Sequence, residues 1–126
     1  MNAQSRTLLI DASHESRELL AELLGRGGVS TTTQESIDTV LASRAWLGCE
    51  LVVVDCDNQP ADALGDLAQV LGRTNTPTVA VGTNRPFVDW PESMMFVRKP
   101  YRYDDLLRRI SELLEGAACT AHRAAA

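Results

Sequence analysis

The sequence is poor in the side chains that hold a structural zinc ion. Its 126 residues include three cysteines, Cys49, Cys56 and Cys119, and two histidines, and no two cysteines form a Cys-x-x-Cys pair. Structural zinc sites need four Cys or His ligands at close spacing, so we expect none. An odd, scattered set of cysteines is typical of reduced thiols in a cytosol, which predicts a cytoplasmic location.

Long apolar runs and excess positive charge are also absent from the sequence. No stretch approaches the roughly 20 residues of a membrane-spanning helix, and residues 1–11 lack the apolar core of a signal peptide. The chain has 12 basic and 17 acidic residues, for a formal net charge of −5. Because an acidic chain suits the phosphate backbone of nucleic acids poorly, we expect neither direct nucleic acid binding nor membrane attachment.

What is present is the composition of a single soluble globular domain. Apolar residues make up 44% of the chain and charged residues 23%, and the length is enough for one ordinary hydrophobic core. We place this domain at residues 1–115. The remaining stretch, 116–126, reads "GAACTAHRAAA", and we interpret it as a flexible tail or linker.

Short apolar runs alternate with helical spacing of apolar residues along the chain. Strands are predicted at 7–10, 29–33, 51–54, 78–81 and 94–97. Helices are predicted around the stripes Leu19–Leu24, Ile37–Leu41, Leu64–Leu71 and Leu106–Leu114, the first two capped by Ser13 and Ser36. The alternation predicts an α/β fold with a parallel sheet and right-handed crossovers.

One segment breaks this alternation. Residues 82–92, "GTNRPFVDWPE", stand where a fourth helix is expected, but they contain two prolines and no apolar stripe. We therefore predict a loop or at most one turn. The aromatic side chains of Phe87 and Trp90 either pack back onto the core or form an exposed contact patch.

Polar residues follow the strands at the points where the strands end. Asp11 follows the first strand, Asp55 the third, Gly82 and Thr83 the fourth, and Lys99 the fifth. Ligands of open α/β sheets bind beyond the carboxyl ends of the strands, at the topological switch point. Two carboxylates in one crevice suit Mg²⁺, and a lysine across it suits a phosphoryl oxygen. Asp55 is then the candidate nucleophile of aspartyl-phosphate chemistry.

This pattern resembles the receiver domain of bacterial two-component response regulators over roughly residues 7–115. The resemblance rests on "LLID" at the first strand, "LVVVD" at the third, "TPTVAV" at the fourth and "FVRKPYRYDDLLRRI" at the end. It implies a doubly wound, flavodoxin-like (βα)5 fold with strand order 2-1-3-4-5, here with a short or absent fourth helix. It also implies phosphorylation of Asp55 by a histidine kinase or phosphotransfer protein.

The resemblance assigns further roles by position. Lys99 would contact the phosphoryl group, the peptide bond before Pro100 is often cis, and Phe96 would be the aromatic switch residue. Mg²⁺ would be held by Asp11, Asp55 and Asp57, the last through its backbone carbonyl. The side chain of Asp57 either partly replaces the acid that this chain lacks at Ala12 or belongs to a solvated turn residue.

Two positions depart from the family pattern. Ala12 stands where the family has a second acid, so one Mg²⁺-binding carboxylate is lost. Gly82 stands where the family has a Ser or Thr that contacts the phosphoryl group, and Thr83 replaces it only if the loop shifts register. The missing helix also removes part of the face through which receivers form homodimers.

Three functions remain open at this point. The first is a phosphorylated receiver that switches a protein–protein surface. The second is a phosphorylation-independent pseudo-receiver, an interaction or dimerisation module of a transcriptional regulator, similar to the degenerate receivers that precede the ATPase module of flagellar master regulators. The third, and weakest, is a small phosphotransferase or phosphatase similar to haloacid-dehalogenase-type enzymes, with Asp55 as nucleophile and Asp57 as general acid; we otherwise expect no enzyme.

Overall fold

The computed structural model describes the backbone of residues 6–125 and the side chains of residues 6–116. Its five strands are β1 (Arg6–Ile10), β2 (Ser30–Gln34), β3 (Leu51–Asp55), β4 (Thr78–Gly82) and β5 (Met94–Arg98). The helices of this part of the chain are α1 (His14–Arg26), α2 (Ile37–Ser43), α3 (Ala61–Arg73) and α4 (Tyr103–Ala125). All paired strands are parallel, in the order β2-β1-β3-β4-β5, which confirms the predicted topology.

Side-chain caps fix the starts of the first two helices. The Ser13 hydroxyl accepts a hydrogen bond from the Ser16 amide at 3.3 Å, and the Ser36 hydroxyl accepts one from the Thr39 amide at 3.2 Å. These bonds satisfy backbone donors that the first helical turn leaves free, as predicted.

The predicted apolar face of α1 was too wide. Leu20 and Leu24, one turn apart, are buried, but the side chain of Leu19 is 40% exposed. Successive helical residues lie about 100° apart around the axis, so Leu19 is turned away from the sheet that Leu20 contacts.

Two hydrophobic layers cover the sheet, one on each face. The strand β3 supplies Val52 and Val54 to the layer that includes Leu67 of α3, and Val53 to the layer that includes Leu20 and Leu106. Burial of every β3 residue follows from this position in the middle of the sheet, because alternate side chains enter opposite layers.

The segment between β4 and β5 contains no helix, as predicted. Trp90 is partly buried and packs against the hydrophobic layer on the α2 and α3 side, whereas Phe87 is fully exposed. Trp90 therefore follows the first of the two predicted alternatives, and Phe87 is exposed, while a contact patch at Phe87 stays a prediction.

The last helix continues past residue 115, where we placed the end of the domain. That boundary and the tail remain predictions, and the side chain of Cys119 lies outside the described residues. Within residues 6–125, no helix is long and apolar enough to cross a membrane.

Candidate functional site

The carboxyl edge of the sheet brings the predicted charged residues together. Because β1, β3 and β4 are consecutive in the sheet, Asp11, Asp55 and Gly82 end or follow neighbouring strands. Asp11 and Asp55 are only 2% and 4% exposed. Lys99 follows β5, and its amide donates to the Gly82 carbonyl at 2.9 Å, which ties the start of the β5–α4 loop to the end of β4.

Lys99 is the cation of the site and the only lysine in the sequence. Its Nζ lies 2.6 Å from Asp55 Oδ2 and 3.1 Å from Asp57 Oδ2. The Lys99 side chain is 32% exposed, so this ion pair is open to water on the side of the lysine. The peptide bond between Lys99 and Pro100 is cis, as the resemblance implied.

Asp57 connects the loops that follow β3 and β4. Its amide donates to Asp55 Oδ1 at 3.0 Å, which fixes the orientation of the Asp55 carboxylate. Its own carboxylate accepts hydrogen bonds from the Thr83 amide at 3.1 Å and from the Thr83 hydroxyl at 3.0 Å. Thr83 therefore reaches the site through Asp57.

Asp11 presents one free carboxylate oxygen inside the protein. Oδ1 accepts a hydrogen bond from the Ser13 amide at 2.9 Å, but Oδ2 is buried without a hydrogen-bond partner. Arg17 donates to the Asp11 backbone carbonyl at 2.8 Å and so holds the β1–α1 loop in place, a role that no sequence signal indicated. Ala12 is exposed and supplies no oxygen ligand.

Burial and the lysine act in opposite directions on these carboxylates. Burial raises the pKa of Asp55, the bond from Lys99 works against this, and the charge of Asp11 adds to it. Partial burial works to raise the pKa of Asp57, but hydrogen bonds from Thr83 and Lys99 together lower it. Burial works to lower the pKa of Lys99, but its bonds to both carboxylates raise it.

The predicted magnesium ligands fit a hard cation only in part. The unpartnered Oδ2 of Asp11, whose charge acts on the buried Asp55 carboxylate, is the kind of donor that Mg²⁺ prefers. The Asp57 carboxylate, in contrast, already faces Thr83 and Lys99. Among the described residues, no group of three or more His, Cys, Asp and Glu side chains has the spacing of a metal site. The predicted role of the Asp57 backbone carbonyl stays a prediction.

Phe96, the predicted switch residue, is partly buried. It packs against the hydrophobic layer on the α2 and α3 side of the sheet. Its movement in signalling stays a prediction.

Comparison with solved structures places this architecture among receiver domains. A CheY-like receiver domain protein from Methanospirillum hungatei has a TM-score of 0.75 at 16% identity, over 94% of this chain and 99% of that chain. An orphan response regulator of H. pylori has a TM-score of 0.71 at 20% identity, over 90% and 99% of the two chains.

The third comparison involves a longer protein. NtrX from Brucella abortus, solved in complex with ADP, has a TM-score of 0.72 at 19% identity, over 96% of this chain but 29% of that chain. No protein-family model and no curated protein matches the sequence. The chain thus has the fold of response regulator receiver domains, in agreement with the resemblance seen in its sequence.

Proposed function

We propose that this chain is a signalling domain of a two-component pathway and that Asp55 accepts a phosphoryl group from a histidine kinase or phosphotransfer protein. One observation carries the proposal: a buried carboxylate at the switch point of a receiver fold is paired with a lysine at 2.6 Å. Open α/β sheets place their ligands at this point. A carboxylate held there is a suitable nucleophile.

The residues of the site account for each part of the transfer. A carboxylate oxygen of Asp55 forms a bond to the phosphorus of a phosphohistidine, the phosphorus–nitrogen bond breaks, and the imidazole nitrogen leaves with the electron pair. The Asp57 amide orients the nucleophile through its bond to Asp55 Oδ1. Lys99 offsets the negative charge of the transferred group, since the protein contributes mainly positioning and electrostatic stabilisation in such reactions.

Magnesium would complete the balance of charge. Asp11 Oδ2, Asp55 and the Asp57 backbone carbonyl are the groups that would hold it, and the ion would neutralise phosphoryl oxygens. Because Ala12 stands in place of a second acid, we expect this site to bind Mg²⁺ more weakly than a site with two acids in the loop after β1.

A phosphorylation-independent interaction module is the second candidate function. It is favoured by the contacts of Asp57, whose carboxylate already engages Lys99 and Thr83. In either case we propose a protein-binding domain rather than an enzyme with turnover. It would act within a transcriptional regulator that carries an output domain, and a homodimer remains a prediction.

Intact mass spectrometry after incubation with acetyl phosphate and Mg²⁺ tests the first function. One added phosphoryl group on the wild-type chain, absent from Asp55→Asn, supports it. An unmodified wild-type chain rejects Asp55 as an acceptor from this donor and favours the interaction module. The variant Asp66→Asn is the matched control, because it removes the same charge from an exposed position on α3.

A further inference from the structure

Three donors converge on the carboxylate of Asp57. The Thr83 amide donates to Oδ1 at 3.1 Å, the Thr83 hydroxyl donates to Oδ2 at 3.0 Å, and Lys99 Nζ lies 3.1 Å from Oδ2. A backbone amide, a hydroxyl and an ammonium are also the kinds of donor that bind a phosphoryl group. Lys99, which also pairs with Asp55, and both donors of Thr83 are therefore already engaged by an anion of the chain itself.

Gly82 leaves the space that this arrangement needs. A Cβ atom at Gly82 would lie 3.3 Å from Asp57 Oδ1 and 3.4 Å from the Cβ of Cys56, within a buried environment. A larger residue would press on the carboxylate that the Thr83 amide holds. The position of the Asp57 carboxylate therefore depends on the absence of a side chain at Gly82. This close contact is an observation independent of the hydrogen bonds.

We infer that the Asp57 carboxylate is an internal anion that competes with a phosphoryl group on Asp55 for Lys99 and Thr83. Asp57 is then a positioning residue that acts through these two donors. The inference rests on the proposed function, since it concerns the same acceptor, and it assigns the Asp57 side chain a role other than metal binding. Two consequences follow. Asp57 holds Thr83 in place in the unphosphorylated chain, and Lys99 and Thr83 must leave the Asp57 carboxylate before they bind a phosphoryl group on Asp55.

The two roles of Asp57 predict opposite effects of removing its side chain. With acetyl phosphate as donor, Asp55 forms a bond to phosphorus, the phosphorus–oxygen bond to acetate breaks, and acetate leaves with the electron pair. If Asp57 competes for the donors, Asp57→Ala accelerates this step. If its carboxylate is a metal ligand, the same variant slows the step and weakens Mg²⁺ binding. The backbone carbonyl of residue 57 is kept in either case.

The experiment combines two readouts on the wild-type chain, Asp57→Ala, Asp57→Asn and the control Asp66→Asn. The first is the rate of phosphoryl uptake from acetyl phosphate with Mg²⁺, by intact mass spectrometry. The second is hydrogen exchange of the Thr83 amide by NMR without any donor, in variants whose amide spectra show a folded domain. We expect uptake several-fold faster in Asp57→Ala, and Thr83 exchange faster by about tenfold or more.

Each outcome decides the inference. Faster uptake with faster Thr83 exchange in Asp57→Ala, and neither in Asp66→Asn, supports it. Unchanged Thr83 exchange, or uptake in Asp57→Ala that is no faster than in the wild type, overturns it. If neither the wild type nor any variant takes up a phosphoryl group, the proposed acceptor function is wrong. Thr83 exchange then decides separately whether Asp57 holds the loop after β4. Asp57→Asn, which loses the charge but keeps an oxygen acceptor, should lie between the wild type and Asp57→Ala.

Discussion

Replacing Lys99 with methionine isolates the role of its charge, because methionine keeps most of the aliphatic length of the side chain. The variant leaves Asp55, 4% exposed, without its partner at 2.6 Å. Removing one partner of a fully buried ion pair costs about 3–5 kcal/mol, and an exposed pair contributes about 0–1 kcal/mol. Since the lysine side chain is 32% exposed, we expect an intermediate loss of about 2 kcal/mol.

The assays are urea unfolding and thermal unfolding at pH 7, both followed by circular dichroism. A loss of about 2 kcal/mol corresponds to a fall in Tm of roughly 6–8 °C for a chain of this length. Burial raises the pKa of Asp55, and loss of the lysine raises this pKa further. The stability lost in Lys99→Met is therefore present at pH values above the pKa of Asp55, where the carboxyl is charged, and disappears as the carboxyl is protonated. The loss should therefore shrink towards acidic pH, and Lys99→Met with Asp55→Asn should recover stability. A Lys99→Met chain as stable as the wild type at pH 7 would show that the buried Asp55 carboxylate does not depend on the lysine charge.

Three further predictions concern the same pocket. Asp55→Asn should raise Tm at pH 7, because the fold raises the pKa of this carboxyl and so makes its charged form unfavourable. The gain in Tm should vanish below about pH 4, where the carboxyl is protonated in both the folded and the unfolded chain. A gain that does not depend on pH would show that the charge of Asp55 is not its cause. Lys99 is the only lysine, and its pKa is raised. An amine-reactive reagent should therefore acetylate Lys99 more slowly in the wild type than in Asp55→Asn, as measured by peptide mass spectrometry. Equal rates would argue against the ion pair between Lys99 and Asp55. Gly82→Ser should cost about 1 kcal/mol in urea unfolding by crowding Asp57, and unchanged stability would argue against that close contact.

Most of the fold could be predicted because its signals are local and mutually consistent. The unbroken apolar run 51–54 predicts a strand covered on both faces, and β3 occupies the centre of the sheet. The prolines of segment 82–92 predict a loop, and the structure has no helix there. The exposure of Leu19 was not predicted, because four leucines in six residues do not reveal which of them the sheet will cover.

The site could be predicted only as far as the ends of strands define it. Asp11, Asp55 and Lys99 lie at one edge of the sheet because parallel strands bring their carboxyl ends there. The contact between Asp57 and Thr83 spans 26 residues. It depends on how two loops cross above the sheet, and apolar periodicity carries no information on this. The acid two residues after Asp55 and the adjacent Gly82-Thr83 pair were its only sequence signals.

Asp55, among the acids of this pocket, is the residue that we propose to carry the phosphoryl group. The most direct measurement is reduction of the acetyl-phosphate-treated chain with borohydride, which converts an aspartyl phosphate to homoserine, followed by peptide mass mapping. We expect homoserine at position 55 and none at positions 11 or 57. Homoserine at position 11 or 57, or at none of the three positions in a chain that has gained a phosphoryl group, would contradict Asp55 as the acceptor.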